Sequence, residues 1–344
     1  MVKIVFFDVK PYDKQFLEPL VAELKEPVEV KYLSSKLNKE TVSLAKDADI
    51  ISLFVHDKVE KEMFDHLKCK MIACRSAGFD YVDLNECAVR GIKVATVPSY
   101  SPNSIAEFAV GLSINLARKL RMAFERSKNA DLSLTSKLLG FEMKGKTVGV
   151  FGTGRIGKLV CEIFRGFKMN VIAFDVYEDK EWAAQNGVEY VKTKDEVYAR
   201  SDIISLHAPL TPENNHMINA DAISKMKDGV LIINTGRGGL IDTRALINGI
   251  KSRKIGGAAL DVYEKENISF DHDWFSVEDG IIQDDDLNRL LGFPNVLVTA
   301  HQAYFTREAL KEIASVTISN INEFFEKSKE HPDNNFTLKN APRV

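Results

Sequence analysis

The stretch "TVGVFGTGRIGKL", residues 147–159, limits what this chain can fold into more than any other. An apolar run ends at three glycines, Gly152, Gly154 and Gly157, and a helical pattern starts within the same turn. At such a junction the first glycine permits a tight turn and the second lets backbone approach a diphosphate. The third lets helix and strand pack closely. The helix N-terminus, with Thr153, Arg155 and Ile156 around it, then offers N–H groups and a positive dipole end to that anion. The next apolar run, "NVIAFD", ends at Asp175, 18 residues beyond Gly157, near the spacing of a carboxylate that hydrogen-bonds a ribose diol. An acid there repels a 2′-phosphate, and "DVYEDK" supplies no arginine, so the expected cofactor is NAD rather than NADP.

The remaining chain repeats that rhythm. "KIVFFD", "VEVKYL", "ADIISLFV", "CKMIACR" and "IKVATV" fall in the first hundred residues. "TVGVFG", "NVIAFD", "VEYV", "DIISLH", "GVLIIN", "GGAALD" and "NVLVTAH" follow. Helical patterns lie between them, and the runs of the second series are apolar throughout, as in strands covered on both faces. The expectation is an α/β protein with doubly wound parallel sheets. With 344 residues the chain exceeds the size at which one core keeps growing, so two domains are expected. A single long helix is expected from Ser101 through Phe124, an amphipathic helix from about Arg307 to Lys327, and a poorly ordered charged tail after it.

Bulk properties exclude several function classes. The 46 basic and 49 acidic residues leave a formal charge of −3, which argues against an electrostatic grip on nucleic acid or anionic membrane. No apolar run reaches the length of a membrane-spanning helix. "MVKIVFFDVKPYD" reads as a first strand rather than a signal peptide. The four cysteines, Cys69, Cys74, Cys87 and Cys161, form no CxxC pair and are expected as reduced, buried thiols of a cytoplasmic protein. No cluster has metal-ligand spacing, so no metal is expected.

In open α/β sheets ligands bind at the carboxyl ends of strands, and four such ends here carry reactive groups. "DIISLH" ends at His207, before Ala208 and Pro209. "GVLIIN" runs into Thr235, Gly236 and Arg237. "GGAALD" ends at Asp261, five residues before Glu266, and "NVLVTAH" ends at His301. An arginine can hold a substrate carboxylate with two parallel hydrogen bonds. A histidine can give or take the hydroxyl proton as a hydride moves, and a neighbouring carboxylate favours its charged form and fixes its tautomer. Arg237, Glu266 and His301 beside a nicotinamide would make a redox site for 2-hydroxy and 2-oxo acids. His207 and Asp261 are expected to line the cofactor cleft, and Glu264 to be a solvated bystander. Histidines 56, 66, 216, 272 and 331 sit mostly in charged or loop contexts where solvent is the default, with His56 the nearest to a strand end.

Taken together, "CRSAGFDYVDL", "VPSYSPNSIAEFAVGL", "GKTVGVFGTGRIGKL", "DIISLHAPLTPEN", "MKDGVLIINTGRGGLID", "KIGGAALDVYEKE" and "NVLVTAHQAYFT" resemble the D-isomer-specific 2-hydroxyacid dehydrogenases. The resemblance covers nearly the whole chain. "VYEKE", the acidic insertion beginning "NISFDHDWF" and "HQAYFT" are similar to the fermentative D-lactate dehydrogenase branch. The resemblance implies a Rossmann-type cofactor domain, residues 101–299, inserted into a flavodoxin-like substrate domain of residues 1–100 and 300–344, with the cleft between them. It implies that Arg237 binds substrate, that Glu266 tunes a catalytic His301, and that the amides of Ser76, Ala77 and Gly78 receive the substrate carboxylate. Phe54, Tyr100 and Tyr304 fall on pocket-lining aromatic positions. Ala300 replaces a proline common in the wider family, and Glu266 stands where formate dehydrogenases of this fold carry glutamine. The implied activity is reversible hydride transfer between NADH and pyruvate to give D-lactate. Bulkier 2-oxo acids such as 2-oxoisocaproate or phenylpyruvate, and an NAD(H)-sensing role like that of the C-terminal-binding-protein corepressors, remain open alternatives. A homodimer, and possible pairing into a tetramer, is implied by the family alone.

Overall fold

The structure is a computed structural model and describes residues 1–55, 57–79, 81–266 and 282–342. Two compact units emerge, one of Met1–Ser101 with Phe305–Val344 and the other of Pro102–Tyr304.

Unit 1 carries β1 (Val2–Phe6), β2 (Val28–Tyr32), β3 (Ile50–Leu53), β4 (Met71–Cys74) and β5 (Lys93–Ala95), all parallel, in the order β2-β1-β3-β4-β5. Side chains alternate across a strand. On β1, Ile4 and Phe6 therefore enter the core beneath the C-terminal helix Arg307–Glu330, where Ile318, Ile321 and Phe325 meet them. Val5 and the following Phe7 enter the opposite core with Leu37, Ile51, Leu53 and Ile72. Burial on both faces is the reason β3 and β4 read as unbroken apolar runs, whereas the edge strand β2 exposes Glu29 and Lys31.

The tail after the C-terminal helix is ordered, contrary to expectation. Leu338 is buried in the core under that helix, and Phe336 packs beside it. Lys93 Nζ donates to the carbonyls of Asn334 and Phe336, Thr96 N donates to Asn340 O, and the buried Asn320 donates to Thr96 O while accepting from Asn340 Nδ2. All four cysteines are free and buried, and burial pushes each thiol up to about 12.

Unit 2 carries β6 (Thr147–Phe151), β7 (Asn170–Phe174), β8 (Val188–Tyr190), β9 (Ile203–Leu206), β10 (Val230–Asn234), β11 (Ile255–Leu260) and β12 (Val296–Val298). The parallel order is β12-β11-β10-β9-β6-β7-β8, so chain direction across the sheet reverses between β6 and β9. That reversal opens a crevice at the strand ends, where ligands of doubly wound sheets bind. The helix expected through Phe124 is two helices, Pro102–Arg118 and Leu120–Lys128, because Lys119 adopts a left-handed conformation with φ 55°. Asn115 Oδ1 accepts from Arg121 N across the break.

The second boundary falls after Tyr304 rather than at 299/300. Residues 299–303 stay with unit 2 because Asp261 binds them. Its Oδ1 accepts from Thr299 Oγ1 at 2.6 Å and Gln302 N at 2.9 Å, and its Oδ2 accepts from Ala303 N at 2.9 Å. Among the described residues no helix is long and apolar enough to cross a membrane, and none form a cluster able to hold a metal ion.

The order of the tail is testable by denaturant unfolding. Leu338→Ala is expected to lower the unfolding free energy by roughly 2–5 kcal/mol, the range for a buried leucine. An unchanged midpoint and slope would show that the tail adds nothing to the unit 1 core.

Candidate active site

The glycine turn sits at the crevice between β6 and β9. Gly152 has φ 88°, and a Cβ there would lie 2.6 Å from Ala208 N, so only glycine lets the two strand ends approach this closely. A Cβ on Gly157 would fall 1.9 Å from the Gly152 carbonyl oxygen, which fixes the following helix, Arg155–Gly166, directly against the turn. Gly154, the N-cap of that helix, faces open space instead, with nothing within 4 Å of its would-be Cβ. An anion has room there, in front of first-turn N–H groups that have no partner within the helix.

Asp175 ends β7 and turns toward this loop. Its Oδ2 accepts from Thr153 N at 2.5 Å and Thr153 Oγ1 at 3.0 Å, and its Oδ1 accepts from Tyr177 N at 2.9 Å. Tyr190, at the end of β8, adds a hydroxyl 2.7 Å from Thr153 Oγ1, a contact with no signal in the sequence. On the other side, Thr235 Oγ1 is buried without a hydrogen-bond partner among the described residues, beside Gly236 and the β10 strand end. An open glycine N-cap, a fixed acid and an orphaned hydroxyl on one crevice fit a dinucleotide. His207 hydrogen-bonds Ser205 Oγ through Nε2 at 2.7 Å, and desolvation pulls its ring down to about 4. It is neutral at working pH, which suits lining the cleft and not donating a proton.

Three neighbouring strands supply the reactive groups. Arg237 lies three residues beyond β10, Glu266 six beyond β11, and His301 three beyond β12. Buried Asn234 shapes the arginine turn, accepting from Gly236 N at 3.0 Å and donating to Arg237 O at 2.9 Å. Gly238 then touches the next strand's turn backbone to backbone. A Cβ there would fall 2.1 Å from Tyr263 C, so the turns carrying Arg237 and Glu266 are stacked without an intervening side chain.

His301 is held in a left-handed backbone conformation, φ 51°, its N–H on Asp261 O at 2.8 Å. That strain persists because Asp261 anchors residues on both sides of it. His301 Nδ1 meets Glu266 Oε1 at 3.1 Å, and Glu266 Oε2 accepts from Tyr263 N at 3.1 Å. With Nδ1 bound to a carboxylate, Nε2 is the nitrogen left for a reacting group. Burial works against charge on Glu266, but the His301 hydrogen bond and charge, the Tyr263 N–H and Arg237 outweigh it and hold the carboxyl below its ordinary range.

A model of the D-isomer-specific 2-hydroxyacid dehydrogenase NAD-binding domain matches residues 110–303. The chain belongs to the D-isomer-specific 2-hydroxyacid dehydrogenases. It is an NAD-dependent oxidoreductase acting on CH–OH groups, and its parallel two-domain architecture is that of the family. It is 40% identical to the D-lactate dehydrogenase of Escherichia coli, over 96% of this chain and 99% of that one. It is 41% identical to the aromatic 2-oxoacid reductase of Clostridium sporogenes, over 94% and 96%. The solved structure of the pyruvate reductase of Chlamydomonas reinhardtii superposes with a TM-score of 0.89 at 39% identity, covering 95% of this chain and 97% of that one.

The other expected site residues fall as follows. Phe54, Ser76, Ala77, Gly78 and Tyr100 lie in unit 1, where Ser76 is buried, Ala77 exposed and Gly78 half-buried. Ser76 Oγ donates to Gly78 O at 2.7 Å and so accepts from Tyr81 Oη at 2.6 Å, which fixes the loop. Tyr304, half-buried, and Ala208 and Pro209, following β9, lie in unit 2. Asp261 is fully buried, and its first task is the His301 loop, which the sequence did not signal. Glu264 is exposed and makes two contacts with no signal in the sequence: Oε2 accepts from Thr243 Oγ1 at 2.9 Å, and Oε1 pairs with His216 Nε2 at 2.6 Å. His56, His272 and the start of the acidic insertion lie outside the described residues.

To donate a proton in the reduction of a 2-oxo acid His301 would need a protonated ring, and an ionised Glu266 favours that form where a neutral amide does not. Glu266→Gln is therefore expected to move the alkaline limb of kcat/KM for reduction to lower pH by roughly one unit or more. An unchanged pH profile would remove Glu266 from this role.

Proposed function

We propose that the chain is an NAD-dependent D-lactate dehydrogenase that reduces pyruvate reversibly. The observation that carries this reading is the Arg237, Glu266 and His301 set on three adjacent strand ends of unit 2, beside a dinucleotide crevice. Bound NADH supplies the hydride that reaches the carbonyl carbon. His301 delivers a proton from Nε2 to the carbonyl oxygen, so that two electrons and two protons in all convert ketone to alcohol. Glu266 holds the ring oriented and charged until that transfer. Arg237 binds the carboxylate through two parallel N–H groups and polarises the adjacent carbonyl. The family resemblance implies that the amides of Ser76, Ala77 and Gly78 receive a substrate carboxylate and that Phe54, Tyr100 and Tyr304 are pocket-lining aromatics. Among the described residues Asp261 Oδ2 accepts one hydrogen bond, from Ala303 N, which leaves it capacity toward the cofactor.

A homodimer fits the exposed apolar side chains of unit 2. Leu120 and Phe124 on one short helix and Leu132, Leu134 and Leu139 after it are each at least half exposed. Light scattering should give twice the chain mass, and a monomer at micromolar concentration would contradict this reading.

NADH oxidation with pyruvate, 2-oxoisocaproate and phenylpyruvate tests the substrate. Pyruvate should give the highest kcat/KM, with the D enantiomer of lactate as product. Preference for phenylpyruvate would assign the chain to bulkier 2-oxo acids, and turnover of none of the three would favour NAD(H) sensing.

A further inference from the structure

Phe54 follows β3 directly and is held from two sides by buried charged groups that the chemistry above does not use. Asp57 is 2% exposed, and its two carboxylate oxygens bind two different chain segments. Oδ2 accepts from Phe54 N at 2.6 Å, and Oδ1 accepts from Leu37 N at 2.6 Å. Asp57 N in turn donates to Phe54 O at 3.1 Å, which closes the turn. Burial pushes the Asp57 carboxyl up to about 6, while the Leu37 and Phe54 amides and Arg75 favour its ionised form.

The ring of Phe54 rests on Arg75. The guanidinium carbon lies 5.6 Å from the Phe54 ring centroid and 5.9 Å from that of Phe6. Arg75 is 3% exposed and cannot shift, because Nη2 donates to Phe7 O at 2.7 Å and Asp8 O at 3.1 Å, and Nη1 to Ser52 Oγ at 3.1 Å. These are groups at the ends of β1 and β3. Phe54 and Arg75, with Asp13, Phe16, Leu17, Leu310, Ile313 and Ala314, line a cavity of about 10 Å³, too small to take the ring. An aromatic side chain has two torsions. Here the backbone turn sets where they begin and the guanidinium face sets where they end.

We propose that Asp57 and Arg75 are specificity-determining positioning residues, which set the size of 2-oxo acid side chain the enzyme prefers by clamping Phe54. The proposal rests on the reading of Phe54 as a pocket-lining residue. Asp57→Asn removes the charge and turns an amide N–H₂ toward one of the two backbone donors. Arg75→Lys keeps the charge but loses the planar face and the fork that anchors it.

The test is the ratio of kcat/KM for pyruvate to kcat/KM for phenylpyruvate, measured on one preparation of each of Asp57→Asn, Arg75→Lys and Phe54→Ala. Because both substrates meet the same enzyme, a loss of folded fraction cancels, and a purely structural role would leave the ratio where it is. The ratio is expected to fall roughly tenfold or more in all three, the scale on which pocket shape discriminates. If Phe54→Ala moves the ratio while Asp57→Asn and Arg75→Lys leave it within about twofold of wild type, the clamp is wrong and the placement of Phe54 stands. If Phe54→Ala leaves it unchanged, Phe54 does not face substrate and the proposal falls with that placement. Should Asp57→Asn not fold, the ratio in Arg75→Lys decides alone.

Discussion

The β10–β12 edge of unit 2 depends on one buried carboxylate. Asp261 stands just past the end of β11 and collects a hydroxyl and two amides from the segment that leaves β12. A buried charge without partners would be costly, and here three donors satisfy it. In doing so they fold residues 299–303 back over the sheet edge and hold His301 in a backbone conformation that a non-glycine residue seldom adopts. Glu266, on the turn after the same strand, then meets the ring from a fixed direction. His301, Glu266 and Asp261 thus come from two neighbouring strands. Gly238 brings the third strand's arginine turn into contact with them.

The crevice between β6 and β9 shows the opposite use of a histidine. His207 has a serine hydroxyl and burial for company, with no carboxylate on its ring, and it stays neutral. His301 has a carboxylate on Nδ1. The two residues follow equivalent-looking strands in the sequence, and what tells them apart is what the fold sets beside each ring.

Much of this was legible in the sequence for a definite reason. Strands buried on both faces are continuous apolar runs and the edge strand β2 alternates, so the strands among the described residues could be read, and the fold class with them. The glycine turn and Asp175 are spaced by the geometry of a strand–turn–helix–strand unit, which is local. What stayed hidden depends on partners distant in the chain. Nothing around Asp261 announces Thr299 or Ala303, and nothing around Glu264 announces His216 or Thr243. Lys119 breaks a helix without a glycine or proline to mark it. Phe336 and Leu338 anchor the tail through two apolar side chains among polar ones, a pattern that reads as solvated. The domain boundary moved to Tyr304 because the Asp261 bonds, and not strand periodicity, decide where residues 299–303 belong.

The claim on which this account turns is that the 2-oxo acid is gripped at the β10 edge by the guanidinium fork of Arg237. The most direct measurement is kcat/KM for pyruvate in Arg237→Lys together with its Kd for NADH. A compact ammonium cannot make two parallel hydrogen bonds to a carboxylate, so kcat/KM should fall by roughly a hundredfold, on the order of 3 kcal/mol, while NADH affinity stays near wild type. A near wild-type kcat/KM, or a loss confined to NADH binding, would contradict it.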